Sequence, residues 1–310
     1  MRAKQIIQKI CPNMYLYLQE KKCEYKYKCR KNADPKDYPR LLEKRYFELT
    51  GVPMDINHPV TYSQKIQWLK LYDPNKNRSM LTDKVAVRNW IKEKIGEQYL
   101  VPIYGVYNSF DEIDFDSLPN QFVLKTNHSS GWNIVVKNKA DFDKKKAKKK
   151  FDKWMKMDYA FWTEYEPHYS SIVHKIIVEK YMEDSTGNLV DYKFLCFNGK
   201  PEFVWVDFDR FENHKRNVYN MNWELQPWSQ FTYGNYLPEG GVPVPKGFSD
   251  MKKIASILCQ GFIHVRVDLY NIDGKIYFGE MTFTNGSGFE QLYPTEYETI
   301  IGNYIKLPLK

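Results

Sequence analysis

The sequence predicts an α+β fold built on antiparallel hairpins, and three observations point to it. Residues 35–99 carry apolar side chains at helical spacing. From Val101 onward the apolar residues gather instead into short runs of strand length. Two pairs of those runs flank Asn198-Gly199-Lys200 and Ile272-Asp273-Gly274, segments that suit hairpin turns. The class that joins such segments is α+β, and 310 residues suffice for one large or two to three small domains.

The helical part comes first. Leu41, Leu42, Tyr46 and Leu49 space as one apolar face, and Gly51-Val52-Pro53 ends that helix. Ile66, Trp68, Leu69 and Leu71 give a second helix before Asp73-Pro74. Thr82 reads as the N-cap of a third over Asp83–Gly96. Strands are then expected at Val101–Tyr107, Asn120–Lys125 and Asn133–Lys137, the last two flanking a small polar loop, Thr126–Gly131. Asp141–Met157 is a lysine-loaded helix whose run Lys144–Lys150 reads as a solvated face. Further strands are expected at Ile176–Tyr181, Asp191–Phe197, Glu202–Phe208, Val265–Asn271 and Lys275–Met281, with a helix at Met251–Gln260. Trp223, Trp228, Tyr233 and Tyr236 lie in a long connection, where they either stack on sugar rings or pack beneath it.

Composition excludes several classes. Hydrophobic residues make up 43% and aromatics 16%, too many for a disordered chain. Sixteen Gly and 16 Pro are too few for a collagen-like one. No apolar run approaches the length of a membrane span, and Met1–Cys29 lacks the apolar core of a secretory signal. Five cysteines without a C-x-x-C point to a reduced, cytoplasmic setting. The net charge is +8, yet residues 1–31 hold nine Lys/Arg against two acids, so the rest is almost neutral. That distribution argues against a nucleic-acid surface and for a local basic arm. The arm, with Tyr15, Tyr17, Tyr25 and Tyr27 interleaved, is either a contact for an anionic membrane or glycan or a solvated helical extension.

No P-loop, dinucleotide fingerprint, G-x-S-x-G elbow or zinc-type histidine spacing occurs. Four sets of charged residues sit instead at positions that should be half buried, where a charge must be paired or ligand-bound. Arg266 and Asp268 alternate with valines and share a face, and Glu280 ends the return strand of the same hairpin. Two carboxylates beside an arginine suit Mg²⁺ bridging nucleotide phosphates, or form a cross-strand salt bridge. Lys125 on a strand before a small polar loop suits a phosphate cradle. Glu179 lies in an apolar strand that runs into Tyr181, Glu183 and Asp184, which could accept bonds from an adenine amine and a ribose. Lys193 interrupts a strand that otherwise reads as core.

The order of these sets resembles the ATP-grasp superfamily, and more closely the TupA-like (teichuronopeptide-biosynthesis type) family of bacterial polysaccharide loci. The residues that carry the likeness are Leu81–Arg88, Gln121–Gly131, Val178–Tyr181, Asp191–Pro201, Asn213–Arg216, Arg266–Tyr270 and Gly279–Phe283 through Gly286-Ser287-Gly288-Phe289. The resemblance implies an ATP-grasp fold in which a helical N-terminal region precedes two α+β subdomains gripping ATP. Its expected divisions are a basic extension over 1–50, a helical region over 51–100, a lid subdomain over 101–177 and a catalytic subdomain over 178–310.

By the same resemblance, Lys84 and Lys125 contact the ATP phosphates, and Ser129, Ser130 and Gly131 form the lid loop. Glu179 and Tyr181 lie at the adenine hinge, with Glu183 or Asp184 near the ribose. Lys193 reaches the phosphates, Asp268, Glu280 and Thr282 hold Mg²⁺, and Arg266 stabilises charge at the acyl centre. Lys215 and Arg216 are candidates for holding an anionic substrate. Thr282 stands where these ligases usually carry Asn, and the loop has serines where a glycine is usual. The implied activity is a carboxylate–amine ligase of capsule or exopolysaccharide biosynthesis. It would join a hexuronic acid to a small amine through an acylphosphate, at the inner face of the membrane. Two rivals stand beside it: a glycosyltransferase with Asp207 and Asp209 as a D-x-D metal site, and an ATP-grasp sugar kinase.

Overall fold

The computed structural model describes residues 12–185, 187, 189–208, 215–230 and 242–308, with side chains from Met14. Asp209, His214, Tyr233, Tyr236 and Cys11 lie outside the described residues. Helices α1 (Pro12–Lys31), α2 (Tyr38–Thr50), α3 (Tyr62–Tyr72), α4 (Arg78–Thr82) and α5 (Val87–Lys94) come first. A four-stranded antiparallel sheet follows, built from β1 (Ile103–Tyr107), β2 (Phe122–Thr126), β3 (Asn133–Val136) and β4 (Ile176–Lys180) in the order β1-β4-β2-β3. Helices α6 (Lys144–Trp154) and α7 (Tyr159–Trp162) lie between β3 and β4.

The second sheet has five antiparallel strands. These are β5 (Asp191–Phe197), β6 (Lys200–Phe208), β7 (Lys215–Asn220), β9 (His264–Ile272) and β10 (Lys275–Thr282), in the order β10-β9-β5-β6-β7. The small pair β8 (Ser229–Gln230) and β11 (Leu292–Tyr293), with helices α8 (Phe248–Leu258) and α9 (Glu296–Gly302), completes the chain.

Turn chemistry explains the hairpins. Asn198 and Gly199 have φ of 48° and 78°, and Asp273 and Gly274 have φ of 52° and 94°. Both pairs are left-handed at two successive residues, the geometry whose twist matches the flanking strands. β5 occupies the residues its sequence predicts. The helix expected over Asp83–Gly96 is split instead. Thr82 closes α4 rather than capping α5, and the Asp83 carboxylate turns back to accept from the Val85 amide at 2.8 Å. The α8 helix begins at Phe248, earlier than Met251, because Phe248 packs into the core behind the second sheet. β4 runs to Lys180, so the first sheet extends past residue 177.

The second sheet has two unlike faces. Tyr192, Phe194, Cys196, Val204, Val206, Val265, Val267 and Leu269 form the main core beneath α8. The other face is apolar at one end, where Leu195, Phe197, Phe203 and Val218 pack under α3 and α9, and charged at the end that opens toward the first sheet. Trp228 is buried in that second cluster, and Trp223 stacks on Tyr219 at 4.3 Å, so both pack rather than face solvent.

Candidate functional site

A cleft of about 810 Å³ separates the two sheets. Strand alternation builds its floor. β10 contributes Glu280 and Thr282, β9 contributes Arg266 and Asp268, β5 contributes Asp191 and Lys193, β6 contributes Asp207 and β7 contributes Arg216. Register places Glu280 opposite Asp268, Asp268 opposite Lys193, Asp191 opposite Asp207, and Asp207 opposite Arg216.

The floor is one connected ion-pair network. Arg266 grips both Asp268 oxygens through Nε and Nη2, each at 2.7 Å. The same Nη2 reaches Glu280 Oε1 at 3.3 Å and Thr282 Oγ1 at 3.1 Å. Thr282 in turn donates to Glu280 at 2.9 Å. Lys193 is bonded to Asp191 and lies 3.3 Å from Asp268 and 3.6 Å from Asp207. Arg216 holds Asp207 bidentately at 2.5 and 2.9 Å and stacks on the Trp205 ring at 4.7 Å. Such buried charges persist because each is paired and hydrogen-bonded. Burial opposes the Arg266 charge, but Asp268 and then Glu280 more than offset it and hold the guanidinium protonated above its usual range.

The opposite wall is built differently. Lys125 and Glu179 are diagonal neighbours on β2 and β4 and form an ion pair. Lys84, after α4, donates to the Ser129 carbonyl and makes no ion pair among the described residues. Burial pushes its ammonium below the usual lysine range, and the positive Lys125 adds to this while Glu280 opposes it. Ser130 and Gly131 form the exposed tip of the loop, Gly131 with φ of 78°. The loop base is fixed: Asn127 donates to Asp83 at 2.8 Å and to the Val173 carbonyl at 2.9 Å, and accepts from the Lys175 amide at 2.7 Å. His128 stacks on His174 at 3.6 Å, and burial, followed by the His174 charge, lowers its pKa to about 3.

The remaining sequence-derived candidates divide. Tyr181 lines the cleft beside Met182. Glu183 is exposed, and neither it nor Asp184 is among the lining residues. Arg216 lines the cleft, whereas its neighbour Lys215 does not. Asp207, the acid of the D-x-D reading, is held by the Arg216 guanidinium, and Asp209 lies outside the described residues. Lys193, expected to reach phosphates, stands among three carboxylates.

Sequence reasoning did not find the far end of the cleft. There Lys70, fully buried on α3, donates to the carbonyls of Glu164 at 2.8 Å and Ser287 at 2.7 Å. Burial lowers its pKa to about 7 against the pull of Glu166 and Glu164. Gln67 from the same helix donates to the Ser287 and Gly288 carbonyls at 3.1 and 2.8 Å. The Glu164 carboxylate receives Arg30 from α1 and Arg45 from α2, the latter at 3.1 Å. Glu164 and Ser287 both line the cleft, so three N-terminal helices anchor its end wall. The one available signal was Lys70 itself, a cation at an apolar helix position.

The carboxylate pair fits a hard cation. Mg²⁺ characteristically takes one or two carboxylates and completes its shell with phosphate oxygens and water, so Asp268 and Glu280 suffice without a protein cage. Among the described residues no group of three or more His, Cys, Asp or Glu side chains is arranged to hold a metal ion by itself.

The chain is similar to proteins already known. The family model "TupA-like ATPgrasp" matches residues 64–306, and no curated protein matches the chain. Among solved structures, D-alanine–D-alanine ligase from Bacillus anthracis aligns at 16% identity and a TM-score of 0.40, over 73% of this chain and 66% of that one. The D-alanine–D-alanine ligase from Helicobacter pylori aligns at 12% identity and 0.42, over 74% and 60%. N5-carboxyaminoimidazole ribonucleotide synthetase from Thermus thermophilus aligns at 9% and 0.39, over 72% and 51%. The chain thus spans less than two thirds of the length of these structures. It belongs to the TupA-like ATP-grasp family, and its α+β fold is the ATP-grasp fold.

Proposed function

We propose that this TupA-like ATP-grasp chain is an ATP-dependent carboxylate–amine ligase that modifies an acidic sugar of a surface polysaccharide. The observation that carries the nucleotide part is Lys84. A desolvated ammonium that lines a cleft, faces Lys125 and has no carboxylate of its own among the described residues is stabilised by a bound polyanion. Lys125 and the Ser129–Gly131 loop extend the same anion-binding wall, with Tyr181 at the edge where the base would lie. The family supports ATP as that polyanion.

In this reading the substrate carboxylate approaches the Arg266 end of the floor and attacks the γ-phosphorus of ATP. ADP leaves, and the acylphosphate forms. The amine then attacks the acyl carbon, the C–O bond to phosphate breaks, and the amide forms with loss of a proton. Lys84 and Lys125 orient the phosphates, and Arg266 balances the oxyanion at the acyl carbon. Asp268 and Glu280, with Thr282 as a neutral oxygen donor, would hold Mg²⁺, which supplies charge neutralisation at the phosphates when bound. Lys193 and Arg216 hold Asp268 and Asp207 in place. No nucleophilic side chain is required.

The polysaccharide role and the hexuronic acid rest on the family's genetic setting, and Arg216 is the residue we assign to the substrate end. The test is a screen of hexuronic acids against amino acids and amino alcohols with Mg·ATP, reading phosphate release and product mass. The expected product weighs the sum of acid and amine less one water. A phosphorylated sugar without free phosphate would identify a kinase instead. Thermal stabilisation by a nucleotide sugar alone would return the reading to a glycosyltransferase.

A further inference from the structure

Helix α1 carries a surface that the cleft does not explain. Its body-facing side is anchored: Tyr27 packs against the hydrophobic cluster that holds Trp132 and Tyr159, and its hydroxyl accepts from the Asp158 amide at 3.2 Å. Glu24 and Glu20 receive Lys153, and Arg30 donates to the carbonyls of Phe161 and Trp162 at 3.2 and 3.0 Å. The opposite side carries exposed apolar side chains among lysines. Met14, Leu18 and Tyr25 recur at helical spacing and are 47%, 48% and 69% exposed. Tyr17 is exposed beside them, with Lys21 at 5.6 Å over its ring. A surface helix ordinarily turns such residues inward, and here the inward side is already occupied.

The charges flank that stripe. Residues 12–31 hold six Lys/Arg against two Glu. Helix α6, tied to α1 through Lys153, holds seven Lys against one Asp. The two helices together exceed the +8 of the whole chain. Lys146, Lys149 and Lys150 share the side of α6 that carries Lys153, and all three are exposed. Exposed apolar and aromatic side chains framed by lysines are the chemistry of an interfacial helix on an anionic bilayer. A soluble acidic polymer would use the lysines and leave Met14, Leu18 and Tyr25 without a role. No helix among the described residues is long and apolar enough to cross a membrane, so such a contact lies on the surface.

We propose that the α1–α6 face docks this protein on an anionic lipid bilayer, with Met14, Leu18 and Tyr25 entering the headgroup boundary and the lysines facing the phosphates. The cleft opens between the sheets, so nothing in the docking requires the nucleotide site.

The test is co-sedimentation of the full chain with vesicles of phosphatidylglycerol and phosphatidylcholine, against vesicles of phosphatidylcholine alone. Partition onto the anionic vesicles should be at least about tenfold higher and should fall as salt is raised. Joint Lys146→Glu, Lys149→Glu and Lys150→Glu should cut it by about tenfold. Joint Leu18→Ser and Tyr25→Ser should remove the fraction that resists salt. Stabilisation by Mg·ATP should be unchanged in both variants, which shows that the fold is intact. Equal partition onto neutral vesicles, or none onto either, would overturn the proposal. So would retention on polygalacturonate without retention on anionic vesicles, which would assign the face to a glycan.

Discussion

The two walls of the cleft solve the problem of buried charge in opposite ways. On the five-stranded sheet, Arg216, Asp207, Lys193, Asp191, Asp268, Arg266 and Glu280 neutralise one another across four neighbouring strand pairs. On the other wall, among the described residues, Lys84 has only a carbonyl oxygen to bond, and Lys125 has a single carboxylate. The first arrangement is organised before any ligand arrives, which is what a charge-stabilising floor needs. The second is short of negative charge, which suits the phosphate-binding role proposed for it. Lysines in the two sheets, equally conspicuous in the sequence, therefore have different work.

Breaking the floor should cost the most. Asp268→Asn leaves Arg266 and Lys193 without their shared carboxylate in a buried site. Amide formation should fall by on the order of a thousandfold or more, and denaturant melts should show a loss of about 3–5 kcal/mol. An active, fully stable Asp268→Asn protein would show that the network is dispensable.

Breaking the open wall should cost less and cost something different. Lys125→Ala removes an anion contact from a half-buried strand position. ATP affinity by calorimetry should drop by roughly thirty- to a hundredfold, with a loss of intrinsic stability smaller than that of Asp268→Asn because Lys125 frees only Glu179. A loss of stability with unchanged ATP affinity would reverse the assignment and make the Lys125–Glu179 pair purely structural.

Acid should sharpen the comparison from another side. Burial holds His128 in the loop after β2 at a pKa of about 3, and His264 at the start of β9 at about 4. In the unfolded chain both titrate near 6.5. Below that value the unfolded state takes up protons that the folded state refuses. The stability they contribute is therefore complete above about pH 6.5 and is lost as pH falls toward the folded values. Between about pH 6.5 and pH 5 each should cost up to about 2 kcal/mol, read by urea melts at fixed pH. A flat profile, or a gain of stability in acid, would contradict the burial of both rings.

The smallest effect concerns Glu183. Glu183 is exposed and does not line the cleft, so Glu183→Gln should leave ATP affinity within about twofold. A larger loss would mean that the 181–185 segment closes over the ribose when nucleotide binds.

Local chemistry was legible wherever one residue or one turn decided it. The Asn198-Gly199 and Asp273-Gly274 turns and the alternation of Arg266 and Asp268 with valines named the hairpins and their charged face. The reading went astray where two elements compete for the same residues. Thr82 has the right chemistry for an N-cap, but Asp83 is drawn to Asn127 in the loop after β2, and the helix restarts only at Val87.

The sequence by itself determined the fold class, the family and most of the charged residues that line the cleft, because a charge buried on an alternating strand position must be paired or ligand-bound. Only the tertiary structure decided which charges neutralise one another and which face the cleft in excess. Pairing depends on strand order and register, and no spacing along the chain brings Lys193 to Asp207 and Asp268 at once. The same holds for Lys70 and Glu164, 94 residues apart and joined by a fold that places α3 between the 164 segment and the Asn285–Gly288 turn.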